Sequence, residues 1–370
     1  MKKIKLLSLL IVGSAGCLDL NALQSENGIS QDMAMPMPDM AMPKPPDMTM
    51  PNPPDMTMPP DMVTPPDMVT PLFAWTNVSP TVPALNLFAI SGISVGGNTS
   101  IYAVGKTAGF QKSTGGQFAA GVGPPGVVTD FTALWLKDAN NVYVAESTGK
   151  VYLTTDAAAT AGNWTDKATG APSPQRAIAG LAGKDEVMVG GDDNSKALML
   201  KPLSAAAWSA TMGNCAQGKK IFGIWGGTAY YAIVGEGLKI SKSQDPIAGC
   251  NSIMQMGVAG SPDLTGVHGT ADTDVWAVSK DGQLMSTDLT GNNKLVRAAT
   301  VTGATFNGVW AKAANNVWVV GSKVWEWNGT AMVDRTGDLP SGYTFTGVWG
   351  NGTNIWIVGN NGAVGGIFKH

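Results

Sequence analysis

From residue 73 onward, short apolar runs alternate with clusters of Gly, Asn, Asp and Thr, and one pattern recurs. A small residue is followed by Val, Ile or Leu, often by Trp-Gly, then by a turn. An aromatic or aliphatic residue follows inside a β-rich run that ends in Gly. Ser91–Gly105 reads SGISVGGNTSIYAVG, Thr265–Ser279 reads TGVHGTADTDVWAVS, Asn307–Gly321 reads NGVWAKAANNVWVVG and Thr346–Gly359 reads TGVWGNGTNIWIVG. Looser copies occupy Thr132–Glu146, Ala179–Gly191 and Phe222–Gly235. Alternation with a period of two, β-branched and aromatic enrichment, and turn residues that tolerate positive φ predict antiparallel strands in every copy. A Gly-containing turn then leads to a third strand, as at Gly149–Thr154 and Gly282–Ser286. An outer strand often carries Trp, as at Asn163-Trp164-Thr165 and Ala207-Trp208-Ser209.

With the small residue of each copy as anchor, the series is Gly92, Ala133, Gly180, Gly223, Gly266, Gly308 and Gly347, in steps of 41, 47, 43, 43, 42 and 39. That is the period of a four-stranded propeller blade. The expected fold is therefore all-β: a seven-bladed β-propeller with four-stranded blades, spanning 73–370. The last copy reaches His370 after only three strands. The segment near 73–78, Phe73-Ala74-Trp75-Thr76-Asn77, matches the outer-strand pattern Gly162-Asn163-Trp164-Thr165-Asp166 and is expected to complete the last blade, leaving no open edge. The copies resemble the tryptophan-rich, YVTN-like and Asp-box-like propeller repeats of secreted bacterial proteins. Partial Asp boxes lie at Thr154–Asp156 with Gly162–Trp164 and at Ser286–Asp288 with Gly291. In that resemblance they imply folding turns rather than an active site.

The first 72 residues follow other rules. Lys2, Lys3 and Lys5 precede an apolar run Leu6–Val12, then Gly13-Ser14-Ala15-Gly16 and Cys17. This is the layout of an export signal over 1–16, and its apolar run falls short of the roughly 20 residues of a bilayer span. The Ser-Ala-Gly-Cys ending resembles a lipobox, although Ser14 stands where Leu is usual, and it implies lipidation at Cys17. Residues 17–72 read as a linker. A Pro-Asp-Met unit recurs with Asp at 39, 47, 55, 61 and 67, and the stretch from Gln31 holds 13 of the 23 prolines and 11 of the 19 methionines. Such a composition predicts an extended, polyproline-like spacer.

Composition narrows the chemistry. Only 14% of residues are charged, the net charge is −3, and there are two histidines, His268 and His370. Nucleic-acid binding and a His-rich metal site are excluded as expectations. No cofactor is expected, although three features carry groups that can ligate a metal ion. Met33, Met35, Met37, Met40 and Met42 offer thioethers suited to Cu(I), but their spacing follows the Pro-Asp-Met repeat. Acidic loop residues Glu146, Asp192, Asp193, Glu236 and Asp281 could serve Ca²⁺ or a polar ligand, and His268, in place of a repeat Trp, could face the channel. Cys215 and Cys250 are expected to form a disulfide in an oxidising compartment. A sialidase-like site would need three converging arginines, and Arg176, Arg297 and Arg335 do not share a repeat position. The expectation is a monomeric lipoprotein of the bacterial cell envelope, held to the outer membrane or cell surface. Its propeller is expected to bind protein, glycan or an envelope component without catalysis. The alternatives are a propeller-based glycosidase or lyase and a structural assembly factor.

Overall fold

The computed structural model describes residues 73–80, 86–155, 163–170, 173–193, 197–211, 213–216, 219–237, 239–255, 262–291 and 294–370. Residues 1–72, with Cys17 and the Met-rich repeat, lie outside them, as does the 156–162 part of one Asp-box-like turn. The described residues form a seven-bladed β-propeller of antiparallel four-stranded blades. The inner strands of blades 1 to 7 are Leu87–Val95, Phe131–Leu136, Gln175–Ala179, Ile221–Gly226, Leu264–Ala271, Phe306–Ala313 and Thr344–Gly350. The outer strands of blades 4 and 5, Asn251–Gln255 and Lys294–Thr300, also pair in parallel and join those two blades into one sheet. The outer strand of blade 7 is Thr76–Asn77, paired with Lys369 and Phe368. The first described strand thus closes the ring on the last.

Closure extends beyond that short strand. Val78 donates its N–H to the Ile367 carbonyl and accepts the N–H of Phe118, each at 2.9 Å. Phe73 stacks on His370 with ring centroids 3.7 Å apart and lies 4.8 Å from the Arg335 guanidinium. Trp75 donates its indole N–H to the Arg335 carbonyl and its backbone N–H to Asp338, both at 2.8 Å. Residues 73–78 therefore strap blades 6, 7 and 1 together.

The core lies in the seams between blades. Second strands such as Val142–Glu146, Val187–Gly191 and Tyr231–Gly235 are buried throughout, because both their faces are covered by neighbouring blades. One cluster combines Tyr143 and Val151 of blade 2 with Ile178, Val189 and Leu200 of blade 3.

A wedge explains the recurring Trp-Gly pair. Trp135, Trp225, Trp310 and Trp349 each insert toward the next blade, where a Gly receives them. A Cβ at Gly269 would lie 2.8 Å from Trp225, at Gly350 2.7 Å from Trp310, and at Gly92 2.8 Å from Trp349; Gly180 meets Trp135 more closely still. The two residues of one Trp-Gly pair thus serve opposite seams. His268 occupies the wedge position of blade 5, and the receiving residue in blade 6 is Ala311. The smaller ring leaves space for a methyl group, and the Ala311 N–H donates to His268 Nδ1 at 3.1 Å. Packed between Trp225 and Trp310, His268 is pushed by desolvation from 6.5 to about 4.

Between blades 3 and 4, the helix Gly213–Ala216 is tied to blade 4 by the Cys215–Cys250 disulfide. The Asn214 amide brackets Cys250, donating to its carbonyl at 2.7 Å and accepting its N–H at 3.1 Å. A closed loop of 35 residues stabilises by about 3–4 kcal/mol in the chain-entropy account.

The wedge makes a prediction. His268→Trp alone overfills the seam against Ala311 and lowers stability by about 1–3 kcal/mol. Adding Ala311→Gly restores the Trp–Gly pair and recovers most of that loss. Because the folded state depresses the His268 pKa, stability is full above pH 6.5 and falls by on the order of 2–3 kcal/mol as pH drops toward 4. The double variant loses that part of the slope. Denaturant titrations at pH 7 and pH 4.5 measure both effects, and an unchanged slope would refute the assignment to His268.

Candidate functional site

Each of the seven inner strands shifts register against its second strand at the same place, between its first and third residues in the first six blades and between Phe345 and Gly347 in blade 7. The extra residue of each bulge is Phe88, Thr132, Arg176, Phe222, Thr265, Asn307 or Thr346, and the next residue is always Ala or Gly. That small residue lets neighbouring backbones approach. A Cβ at Gly266 would lie 3.3 Å from the Gly308 Cα, and one at Gly308 3.6 Å from the Gly347 Cα. In blades 1 and 3 the anchors are Ala89 and Ala177, three residues before Gly92 and Gly180. Those two glycines instead receive the Trp349 and Trp135 wedges.

Where the bulge residue is Thr or Asn, it latches its blade to the next. Thr265 donates to the Phe306 carbonyl at 2.7 Å, Asn307 to Phe345 at 2.9 Å, Thr346 to Leu87 at 2.9 Å, and Thr132 to Gln175. Phe88, Arg176 and Phe222 occupy that position in the other three seams, which are stitched by charged residues just before the next inner strand. Asp130 accepts the Thr107 N–H at 2.9 Å, Asp263 accepts the Gly237 N–H at 3.2 Å, and Lys220 lies 3.9 Å from Asp192.

These bulges surround one end of the axial channel, where a cavity of about 550 Å³ opens. Its inner wall is aliphatic, built from residues such as Ile90, Leu134, Ile178 and Val348. Its rim carries Phe88, Phe222, Asp130, Ser147 and Arg176 beside the latched Thr and Asn residues. Arg176 grips Asp192 with two hydrogen bonds of 2.6 and 2.8 Å. The Arg176 hydrogen bonds, with its charge and that of Lys220, hold the Asp192 carboxyl below the usual range.

The loop acids have individual roles. Asp192 belongs to the Arg176 pair at the cavity rim. Asp193, beside it, has an interaction of its own. Glu236 faces Lys219 at 4.0 Å. Asp281 is a turn residue, accepting from Ser279 Oγ and, at 2.7 Å, from the Gln283 amide. Glu146 ends the second strand of blade 2, where five blades have Gly; its side chain is buried and one carboxylate oxygen has no partner. His268 sits in the blade 5–6 seam, away from the cavity wall. Among the described residues no three His, Cys, Asp or Glu are grouped to hold a metal ion. Of the bulge residues only Arg176 is singled out by the sequence, as one of three arginines, and the latching role of the others is not. Their signal is the Thr or Asn directly before Ala-Leu or Gly-Val in four copies.

No family model matches the chain, and no curated protein matches it in sequence. Solved structures do. YCF48 bound to D1 peptide aligns with a TM-score of 0.60 at 14% identity, covering 80% of this chain and 95% of that one. A catalytically inactive virginiamycin B lyase from Staphylococcus aureus with quinupristin aligns at 0.65 and 12% identity, over 80% and 98%. The WD40 propeller domain of Doa1 aligns at 0.60 and 12% identity, over 80% and 96%. At these identities the likeness establishes the propeller fold.

The latch is testable at the seam that closes the ring. Thr346→Val leaves the Leu87 carbonyl without its donor and lowers unfolding free energy by about 1–2 kcal/mol in chemical denaturation. A change within error would show the latch to be idle.

Proposed function

We propose that this chain is an envelope lipoprotein, anchored through Cys17, whose propeller binds a protein segment at the bulge-lined end of the axial channel without catalysing a reaction. The observation that carries the reading is the cavity itself. It has an aliphatic wall, two half-buried phenylalanines at its mouth, and one Arg–Asp pair to orient a polar group. Apolar concavity with a few fixed polar groups is the usual form of a binding site. The polar groups around the cavity fit recognition better than acid–base work. Four bulge side chains are spent on backbone carbonyls, and the Asp192 carboxylate is spent on Arg176. The YCF48 structure with a bound peptide supports the reading by analogy of fold.

In the full chain in its native envelope, a photo-crosslinking residue at Phe222 is expected to capture a protein partner. The same probe at exposed Val296, on an outer strand, is not. Phe88→Ala lowers capture several-fold with the unfolding midpoint unchanged. No capture at Phe222, or release of polysaccharide fragments with new reducing or unsaturated ends, would overturn the proposal. The latter result would favour a glycosidase or lyase.

Anchoring has its own test. Metabolic labelling with palmitate is expected to mark the chain and to vanish in Cys17→Ala. Persistent label in that variant would remove Cys17 as the anchor.

A further inference from the structure

Two open cavities flank the hairpin of blade 3, at the end of the axis opposite the mouth. That hairpin joins the inner strand Gln175–Ala179 to the second strand Val187–Gly191. On the blade 2 side lies a cavity of about 450 Å³, with Ile93, Trp135, Leu136, Lys137 and Asp138 in its lining. On the blade 4 side lies one of about 580 Å³, with Lys201, Pro202, Thr228, Ala229 and Gln244. Leu181, Lys184 and Asp185 line both, so a molecule laid across the hairpin touches the two at once.

Consecutive acidic residues of the hairpin serve opposite sides of it, as strand alternation requires. Asp185 turns to blade 2 and pairs with Lys137 at 3.1 Å. Glu186 reaches toward blade 4, where it accepts the Tyr231 hydroxyl and also meets Lys201, both at 3.2 Å. Blades 2, 6 and 7 hold Asn141, Asn316 and Asn354 at the position of Glu186, one residue before the first aliphatic of the second strand. Both members of the Lys137–Asp185 pair are open to solvent. In the other pair the lysine is open and the carboxylate is buried. Asp138 is held by its own turn, accepting the Asn140 and Asn141 N–H groups at 2.9 Å. The charges that line the two cavities balance, with Lys137, Lys184 and Lys201 against Asp138, Asp185 and Glu186.

We propose that these two cavities bind a neutral oligosaccharide lying across the blade 3 hairpin. The argument is one of complementarity. A hydroxyl donates and accepts at once, so neighbouring hydroxyls of one sugar ring meet the lysine and the carboxylate of one ion pair together. Bonds of that kind are charge-assisted. The two pairs, one in each cavity, serve successive sugar units, and the Gln244 amide adds a donor and an acceptor beyond the second pair. Trp135, Leu136 and Leu181 supply apolar surface for the C–H faces of the rings. A balanced lining offers no net attraction to a polyanion or a polycation. Its polar residues come from turns rather than a free strand edge, so an extended peptide finds no ladder to join. This site is independent of the cavity at the mouth and shares none of its residues.

The test applies the full chain to a printed array of glucan, galactan, mannan and chitin fragments, oligogalacturonates, sulfated oligosaccharides and Ala/Ser peptides. Retention on one or more of the neutral sugars is expected, and none on the acidic sugars or the peptides. Calorimetric titration with the best-bound fragment is expected to give one affinity across about 0.05 to 0.5 M salt, since the ligand carries no charge to screen. Asp185→Asn, at the residue common to both cavities, weakens that affinity by roughly tenfold. It leaves the unfolding midpoint in place, because an exposed ion pair contributes little stability. Val296→Ala, on the outer strand of blade 5, leaves affinity unchanged. The proposal is overturned if no neutral oligosaccharide is retained, if acidic sugars or peptides are retained in preference, or if Asp185→Asn binds as tightly as the parent.

Discussion

Seven inner strands converge on one axis, and each must lie against the backbone of its neighbour. Only a hydrogen or a methyl group fits at that contact. The anchors are therefore Gly or Ala in every blade, and the other regularities follow from that approach. Once the backbones are this close, a bulge lifts one side chain out of each ladder to the channel mouth. A Thr or Asn there can reach the next blade's carbonyl. Three residues later the strands diverge enough to admit an indole, provided the neighbour is Gly. The ring is a chain of paired accommodations in which each blade supplies one half to either side.

Small departures from the repeat become informative on this frame. His268 and Ala311 differ from Trp and Gly together, as a seam of constant volume requires. The bulge positions that lost their latch hold Phe88, Arg176 and Phe222, and charged or main-chain stitches replace the missing hydrogen bond in each of those seams. The same substitutions place two aromatic rings and a guanidinium at the channel mouth. Stability duties have been moved onto Asp130, Asp263 and Lys220, and the vacated positions give the mouth its distinct chemistry.

Strand type, repeat period and blade count were legible in the sequence because they depend on local alternation and turn residues. The anchor register slipped in blades 1 and 3. There a small wedge residue, Ser91 or Ala179, precedes the Gly that receives a Trp, and Ser91-Gly92-Ile93 and Ala179-Gly180-Leu181 imitate the small-then-aliphatic anchor. The true anchors, Ala89 and Ala177, are marked only by the bulge, which is a relation between two strands. The departure at His268 was visible as a missing Trp, but its complement at Ala311 lies one repeat away and becomes a partner only across the seam. Among the loop acids, the pairing of Asp192 could not be read from local sequence, since it meets Arg176 and Lys220 only through the fold.

The strap at residues 73–78 has a mechanical consequence. Any tension carried along the chain toward the ring reaches Phe73 first, where it is borne by stacking on His370 and by the Arg335 guanidinium, itself braced by Glu326 at 2.8 Å. Trp75 and its two hydrogen bonds form the next point of resistance. Only after both give way does load arrive at the hydrogen bonds of Thr76–Val78, behind which the blade 7–1 seam still holds its Thr346–Leu87 latch and its Trp349 wedge. The two-residue outer strand of blade 7 is thereby preceded along the chain by aromatic contacts on which a pull is spent before it reaches the ring.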